Sequence, residues 1–331
     1  MGCDEIRHHA LVLEAAGIAA AASTDPASGV AVAVVEGSNV PQIATASGAD
    51  PIDQTSLFEI ASISKTMTAL VLAQLVLSGA VDLSTPLRDI FDAGHNGSIT
   101  LRELATHNSG LPRVPANLVA RLDEIDPSAQ LDDPYGSYTP ADLAAAIREE
   151  EAASKSTEYS NFGYMVLAHA LSAATGRDFA DLLRDLVFDP LGMATASIAS
   201  SNEIDGVIPG YRDGRRVPHW TKLVPGPGGV IASIRDLERY LSAHLQPDST
   251  DLEIAIEMTQ AVGPDAECLG WQRYGGVRWH NGGSGGFSTF AGFDRLTGRA
   301  VAILRNCGLA SATVDRVGFV SLGVEDPLVD G

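Results

Sequence analysis

Between Ser62 and Ser78 the apolar side chains go nearly all the way round a helix: Met67, Ala69, Leu70, Val71, Leu72, Ala73, Leu75, Val76 and Leu77. A helix with one apolar stripe lies on a surface, whereas one that is apolar on every side has to be enclosed by other elements. The rest of the chain must therefore supply layers around this helix. Gly79 stands where a left-handed residue commonly ends a helix. A length of 331 residues is enough to bury a core of that size.

The material for those layers is unevenly distributed. Ser28–Glu36 is a dense apolar run with alternating valines, and Val40–Ala46 is a weaker one. Gly37 and Ser38 lie between them, so the pair reads as a hairpin. Strand signals then return only at Gly275–His280, Thr289–Phe293 and Ala300–Arg305, followed by a closing helix over Ala312–Leu322. The middle is helical, at Leu101–His107, Pro140–Glu151, Asn161–Ala174 and Asp178–Val187, with an amphipathic helix over Ser233–Leu245. Gly176, Pro190-Leu191-Gly192 and Gly226-Pro227-Gly228-Gly229 punctuate it. An Ala-rich stretch from Asp4 to Ala22 also reads as a helix.

Strands at both ends with helices between them predict an α+β fold: one antiparallel sheet built from both termini, flanked by helices, with an inserted all-helical subdomain. Residues 1–81 and 206–331 are expected to form the sheet domain and residues 82–205 the helical subdomain, with the active site between them.

Composition narrows the function. With 42 acidic against 22 basic residues the formal charge is −20. Such a surface repels nucleic acid and anionic lipid, and no segment approaches the roughly 20 apolar residues of a membrane span. Cys3, Cys268 and Cys307 fit neither a disulfide framework nor a metal-ligand spacing, and no H-E-x-x-H occurs. No metal, organic cofactor, nucleic-acid partner or membrane partner is expected. The chain opens without a basic start, apolar run and small-residue cleavage site, so a cytoplasmic location is expected.

Three short segments carry candidate chemistry. In Ser62-Ile63-Ser64-Lys65, residues three apart share a helix face, so the lysine amine can reach the Ser62 hydroxyl. Serine needs such a base to become a nucleophile, and lysine serves as one when burial or a nearby cation lowers its pKa. The chain has only three lysines, at 65, 155 and 222, so a chance match to this spacing is on the order of one in five. A serine at the helix start also aims free N–H groups at developing negative charge.

In Tyr159-Ser160-Asn161, the phenol can shuttle a proton if an adjacent cation lowers its pKa, and the amide can meet a substrate carbonyl. The plainer reading makes Asn161 a helix N-cap and Tyr159 a packing residue. In His280-Asn281-Gly282-Gly283, glycine lets a substrate backbone approach the strand end, and the Gly283 N–H can join that of Ser62 as an oxyanion donor. Here the plainer reading is a glycine-rich turn with an incidental histidine.

In this order the three segments resemble the serine β-lactamase and DD-peptidase superfamily. The most similar branch holds class C β-lactamases, D-aminopeptidases, family VIII esterases and related transacylases. Ser62/Lys65, Tyr159/Asn161 and His280/Gly282 match its S-x-x-K, Y-x-N and H-x-G motifs. Leu57–Ala61, Ile99–Leu104, Thr106–Pro112, Pro190–Met193 and Gly228-Gly229-Val230 match its context.

The resemblance implies a β-lactamase/transpeptidase-like fold and a serine-dependent hydrolase or acyltransferase. Ser62 would form an acyl-enzyme, Lys65 and Tyr159 would relay its proton, and His280 would tune Tyr159. Asn161, Asn281, Gly282 and Gly283 would contact substrate. His107, in the Thr106–Pro112 loop, is expected to be structural.

Asn281 stands where the family most often has threonine, and His280 where β-lactamases have lysine. Both departures turn the expectation away from penicillins and D-Ala peptides. The preferred substrate is a small ester, thioester or amide, with the acyl group passed to water or to an amine or alcohol acceptor, as in some secondary-metabolic relatives. A DD-carboxypeptidase or β-lactamase is the alternative, and a catalytically silent ligand-binding homologue is the alternative of a different class.

Overall fold

The computed structural model describes residues 27–125, 132–153, 157–198, 206–220, 225–245, 250–263, 267–308 and 311–325. The helix expected over Asp4–Ala22 lies outside the described residues, as do Cys3, Lys155 and Lys222. In chain order the strands begin with β1 (Val30–Glu36), β2 (Gln42–Ala46), β3 (Phe58–Glu59), β4 (Ser197–Ile198), β5 (Gly210–Arg212) and β6 (Arg215–Val217). They continue as β7 (Val230–Ala232), β8 (Gln272–Tyr274), β9 (Val277–Gly283), β10 (Ser288–Asp294) and β11 (Arg299–Arg305).

The helices are α1 (Ser64–Leu77), α2 (Leu101–Ala105), α3 (Ala116–Asp123), α4 (Pro140–Glu149) and α5 (Asn161–Thr175). After them come α6 (Phe179–Leu183), α7 (Ile234–Leu245), α8 (Asp251–Gln260) and α9 (Ser311–Leu322).

The main sheet has six strands in the order β2-β1-β11-β10-β9-β8. Every neighbouring pair is antiparallel. Strands from the two ends of the chain therefore meet at β1 and β11, with Ala33 opposite Ala302. The alternation along β1 assigns its two faces. Val30, Val32 and Val34 pack with Trp279, Phe290 and Ile303 under Val314 and Phe319 of α9. Ala31, Ala33 and Val35 join the larger core, where small alanines let α7 lie against β1 and β11.

The helix apolar on all sides is enclosed as its sequence requires. Leu70, Val71 and Leu72 are wholly buried, and α5, α6 and α8 pack around α1. Its polar residues are buried too, and each is paired. Thr66 Oγ1 donates to the Ile63 carbonyl and accepts from Tyr240, while Thr68 Oγ1 reaches the Gly226 carbonyl. That last bond ties the helix to the glycine-rich turn that the active site uses.

The sequence did not announce α3, α8 or the small sheet β3-β7-β4. Two- and three-residue strands are too short to show a period. They matter because β3 leads directly into the Ser62 turn, pairing Phe58 with Ala232 and Glu59 with Ile231.

Candidate active site

Ser62 sits in a single 3-10 turn, Ala61–Ile63, and α1 proper begins at Ser64, two residues later than the sequence suggested. Ala61 takes a left-handed φ of 48°, uncommon for a residue with a side chain. Surrounding contacts hold this sharp entry. Thr289 Oγ1 on β10 donates to the Ile60 carbonyl at 3.0 Å, and Ser64 Oγ donates to the Ala61 carbonyl at 2.6 Å.

Gly282 on β9 faces the same turn, where a Cβ would collide with the Ile60 carbonyl oxygen and Thr289 Oγ1. The residue approached closely at Gly282 is thus the serine turn itself, in place of the substrate backbone that the sequence suggested. Gly282→Ala is expected to destabilise the fold by about 1–3 kcal/mol, and to cut activity further by displacing Ser62. Urea melts and ester rates on the same sample check both.

Lys65, one turn on, is wholly buried. Its Nζ lies 3.0 Å from Ser62 Oγ and donates to the Pro227 carbonyl at 2.8 Å. Burial, and secondarily the positive charge of Arg113, push its pKa well below the ordinary lysine value. The amine is therefore biased toward the free base, which can accept the Ser62 proton.

Tyr159 completes the centre. Ser62 is close enough to the phenol hydroxyl to favour the charged phenolate, and Lys65 Nζ lies 4.8 Å from the Tyr159 ring centroid. The expectation that a cation would lower its pKa is corrected. Arg113 stands 5.1 Å from the ring, yet burial outweighs the influence of both Ser62 and that charge, and the phenol is pushed up to about 12. The phenol is therefore held neutral, while the buried amine beside it is biased toward its free base.

The segment carrying Tyr159 is pinned to the Thr106–Pro112 loop. Glu158 N donates to the His107 carbonyl and Ser160 N to His107 Nδ1, at 3.0 and 3.1 Å. Ser160 Oγ donates to the Pro112 carbonyl, and Asn161 N to that of Arg113. His107 takes a left-handed φ of 60° and stacks 4.7 Å from the Tyr159 ring, so its structural reading acquires a specific content. Ser160, not Asn161, caps α5, accepting from Gly163 N at 2.8 Å. That leaves the Asn161 side chain for the cleft: Nδ2 donates to Tyr135 at 3.3 Å, and buried Oδ1 has no partner.

His280 and Asn281 depart from expectation. His280 Nδ1 donates to the Asn281 carbonyl at 2.6 Å, its ring lies 6.0 Å from that of Tyr159, and burial pushes it down to about 3. A neutral imidazole with that bond meets Tyr159 by packing and brings no charge to tune it. Asn281, one residue on, points to the opposite face, where Nδ2 donates to Asp315 of α9 at 2.7 Å.

His107 and His280 are both buried down to about 3 and His244 to about 4. The unfolded chain binds a proton on each near pH 6.5. Stability gained from burying them neutral is therefore complete above that pH and lost as pH falls toward 4. Urea midpoints are expected to drop steadily below about pH 6.5, by roughly 1.4 kcal/mol per pH unit per histidine. A flat profile would contradict neutral burial.

These groups line one cleft of about 520 Å³. Ser62, Tyr159, Asn161, Asn281, Gly282 and Gly283 all contribute, and His280 does not: it lines a second cavity of about 260 Å³ behind Tyr159. Sequence reasoning missed Arg113, Tyr135, Trp220 and Gln272 in the same wall. Trp220 is anchored to β3, the strand before the Ser62 turn, its backbone N–H donating to Glu59 Oε1 at 3.0 Å. Among the described residues no group of three or more His, Cys, Asp and Glu is placed to hold a metal ion.

A six-stranded antiparallel sheet flanked by helices, with serine and lysine one turn apart beside a tyrosine, defines a serine hydrolase of the β-lactamase fold. The sequence matches the family described as Beta-lactamase over residues 18–316, and the chain belongs to that family. It is 29% identical over 265 residues to the D-alanyl-D-alanine-carboxypeptidase/endopeptidase AmpH of Escherichia coli (strain K12), covering 71% of this chain and 67% of that protein. It is 28% identical over 299 residues to the unguisins hydrolase ungD' of Aspergillus campestris, covering 77% of this chain and 53% of that one. Among solved structures, a D-stereospecific amidohydrolase from Streptomyces sp. superposes with a TM-score of 0.73 at 26% identity, covering 94% of this chain and 98% of that one.

Proposed function

We propose that the protein forms an acyl ester on Ser62 from a small ester, thioester or amide and passes the acyl group to water or to an amine or alcohol. The observation that carries this reading is the buried Lys65 amine, 3.0 Å from the Ser62 hydroxyl and biased toward its free base. Ser62 Oγ attacks the carbonyl carbon as its proton passes to Lys65, and the carbonyl electrons move onto oxygen. Ser62 and Gly283 line the same cleft, and their N–H groups are the donors we assign to that oxyanion.

The neutral Tyr159 hydroxyl, beside Ser62, gives its proton to the leaving group as it takes one from Lys65, and later takes one from the incoming nucleophile as its own passes back to Lys65. Asn161 Oδ1 offers an acceptor to an N–H or O–H of the substrate. The similarity to a D-stereospecific amidohydrolase supports amides as donors beside esters.

The second reading, a DD-carboxypeptidase or β-lactamase, draws on the similarity to AmpH. Against it, position 281 carries an amide in place of a hydroxyl, and that amide is turned to Asp315, so no carboxylate subsite forms there. Initial rates on p-nitrophenyl esters, D-alanine p-nitroanilide, nitrocefin and a D-Ala-D-Ala peptide, with and without an amine acceptor, test the choice. Turnover of esters or amides is expected. Turnover of nitrocefin or the D-Ala-D-Ala peptide alone would favour the second reading, and binding without turnover a silent homologue.

A further inference from the structure

We propose that Arg113 is the specificity residue of this site, pairing with a carboxylate or similarly compact anion carried by the acyl donor. The inference deepens the acyl-transfer reading and rests on it. Among the described residues lining the Ser62 cleft, Arg113 is the only one with a formal charge. It is exposed, and no described acidic side chain pairs with it, although acidic residues outnumber basic ones by 42 to 22 in the chain.

An exposed arginine in the cleft wall without a carboxylate partner among the described residues is suited to receive an anion from a substrate. Its planar fork suits a carboxylate better than a lysine would.

The backbone makes its position exact enough for recognition. The Arg113 carbonyl accepts from both Asn161 N and Phe162 N, at 2.9 and 3.2 Å, which fixes the residue against the start of α5. The guanidinium lies 5.1 Å from the Tyr159 ring, so an anion bound there sits beside the proton relay. Asn161 Oδ1, buried and without a partner, is a neighbouring acceptor for a substrate N–H. Cation and acceptor together describe a donor with an anionic group near an amide or hydroxyl. Arg113 is also one of the charges that disfavour the Lys65 ammonium, so an anion on Arg113 would relieve that repulsion and strengthen the base.

Two matched pairs of esters provide the test. One places the anion in the acyl part, p-nitrophenyl hemiglutarate against p-nitrophenyl valerate. The other places it in the leaving group, 4-carboxyphenyl acetate against phenyl acetate.

The wild-type protein is expected to prefer the anionic member of at least one pair by about tenfold or more in kcat/KM, and the pair shows which side of the scissile bond faces Arg113. In Arg113→Gln that ratio collapses toward one, mainly through KM, and Arg113→Lys retains part of it. Should Arg113→Gln fold poorly, inhibition of wild-type valerate hydrolysis by free glutarate, weakened in Arg113→Lys and lost in Arg113→Met, gives the same answer. Ratios near one in the wild type, or ratios unchanged in Arg113→Gln, overturn the proposal. Loss of all ester turnover in Ser62→Ala tests the acyl-enzyme separately, so either reading can fail alone.

Discussion

Replacing Ser62 with alanine is expected to abolish turnover of every ester and amide the protein accepts, a loss of about 10⁴-fold or more, while leaving the fold intact. Ser62 is half-buried in the cleft wall, and its described side-chain hydrogen-bond partner is Lys65. Lys65 keeps its bond to the Pro227 carbonyl in the variant, and the Ala61–Ile63 turn is held by Thr289 and Ser64, not by Ser62. Thermal melting should therefore change little. Residual activity above a few per cent would point to a different nucleophile.

Lys65→Met is expected to lower kcat by about 10²–10⁴-fold through loss of the base, with only a modest change in stability. Methionine is close to the lysine stem in length and, at this wholly buried position, removes an amine whose charged form burial already penalises. The variant also changes the pH profile. The groups facing Lys65 are the rings of Tyr159 and Tyr164, the neutral imidazoles of His107 and His280, and the Arg113 cation.

None of these supplies negative charge near neutrality, so nothing lifts the lysine pKa back toward its ordinary value. In the wild type, kcat/KM should rise with pH as Lys65 loses its proton and level off below the pH at which a free lysine titrates. That limb should vanish in Lys65→Met. A variant that kept both the rate and the limb would exclude Lys65 as the base.

The sheet was legible because its strands are long and valine-rich, and α1 because its apolar residues leave no solvent face. The catalytic groups were legible through order along the chain: a serine and lysine one helical turn apart, then a tyrosine before a helix, then glycines at a strand end. What escaped depended on direction in space. Ser160 and Asn161 are both good helix caps, and only the Gly163 bond shows which one acts.

Adjacent strand residues point to opposite faces, so of His280 and Asn281 only Asn281 borders the cleft, and its amide is turned to Asp315. Arg113, Tyr135 and Trp220 come from separate loops with no common spacing. Only folding brings them to one wall.

All of the chemistry depends on a covalent bond between an acyl carbon and the oxygen at position 62. Intact-mass analysis of protein acid-quenched during turnover of a p-nitrophenyl ester, followed by peptide mapping, observes that bond directly. The account predicts one added acyl mass per chain, on the peptide containing Ser62, and none in Ser62→Ala. An adduct on another residue, or one that persists after the alanine replacement, would contradict it.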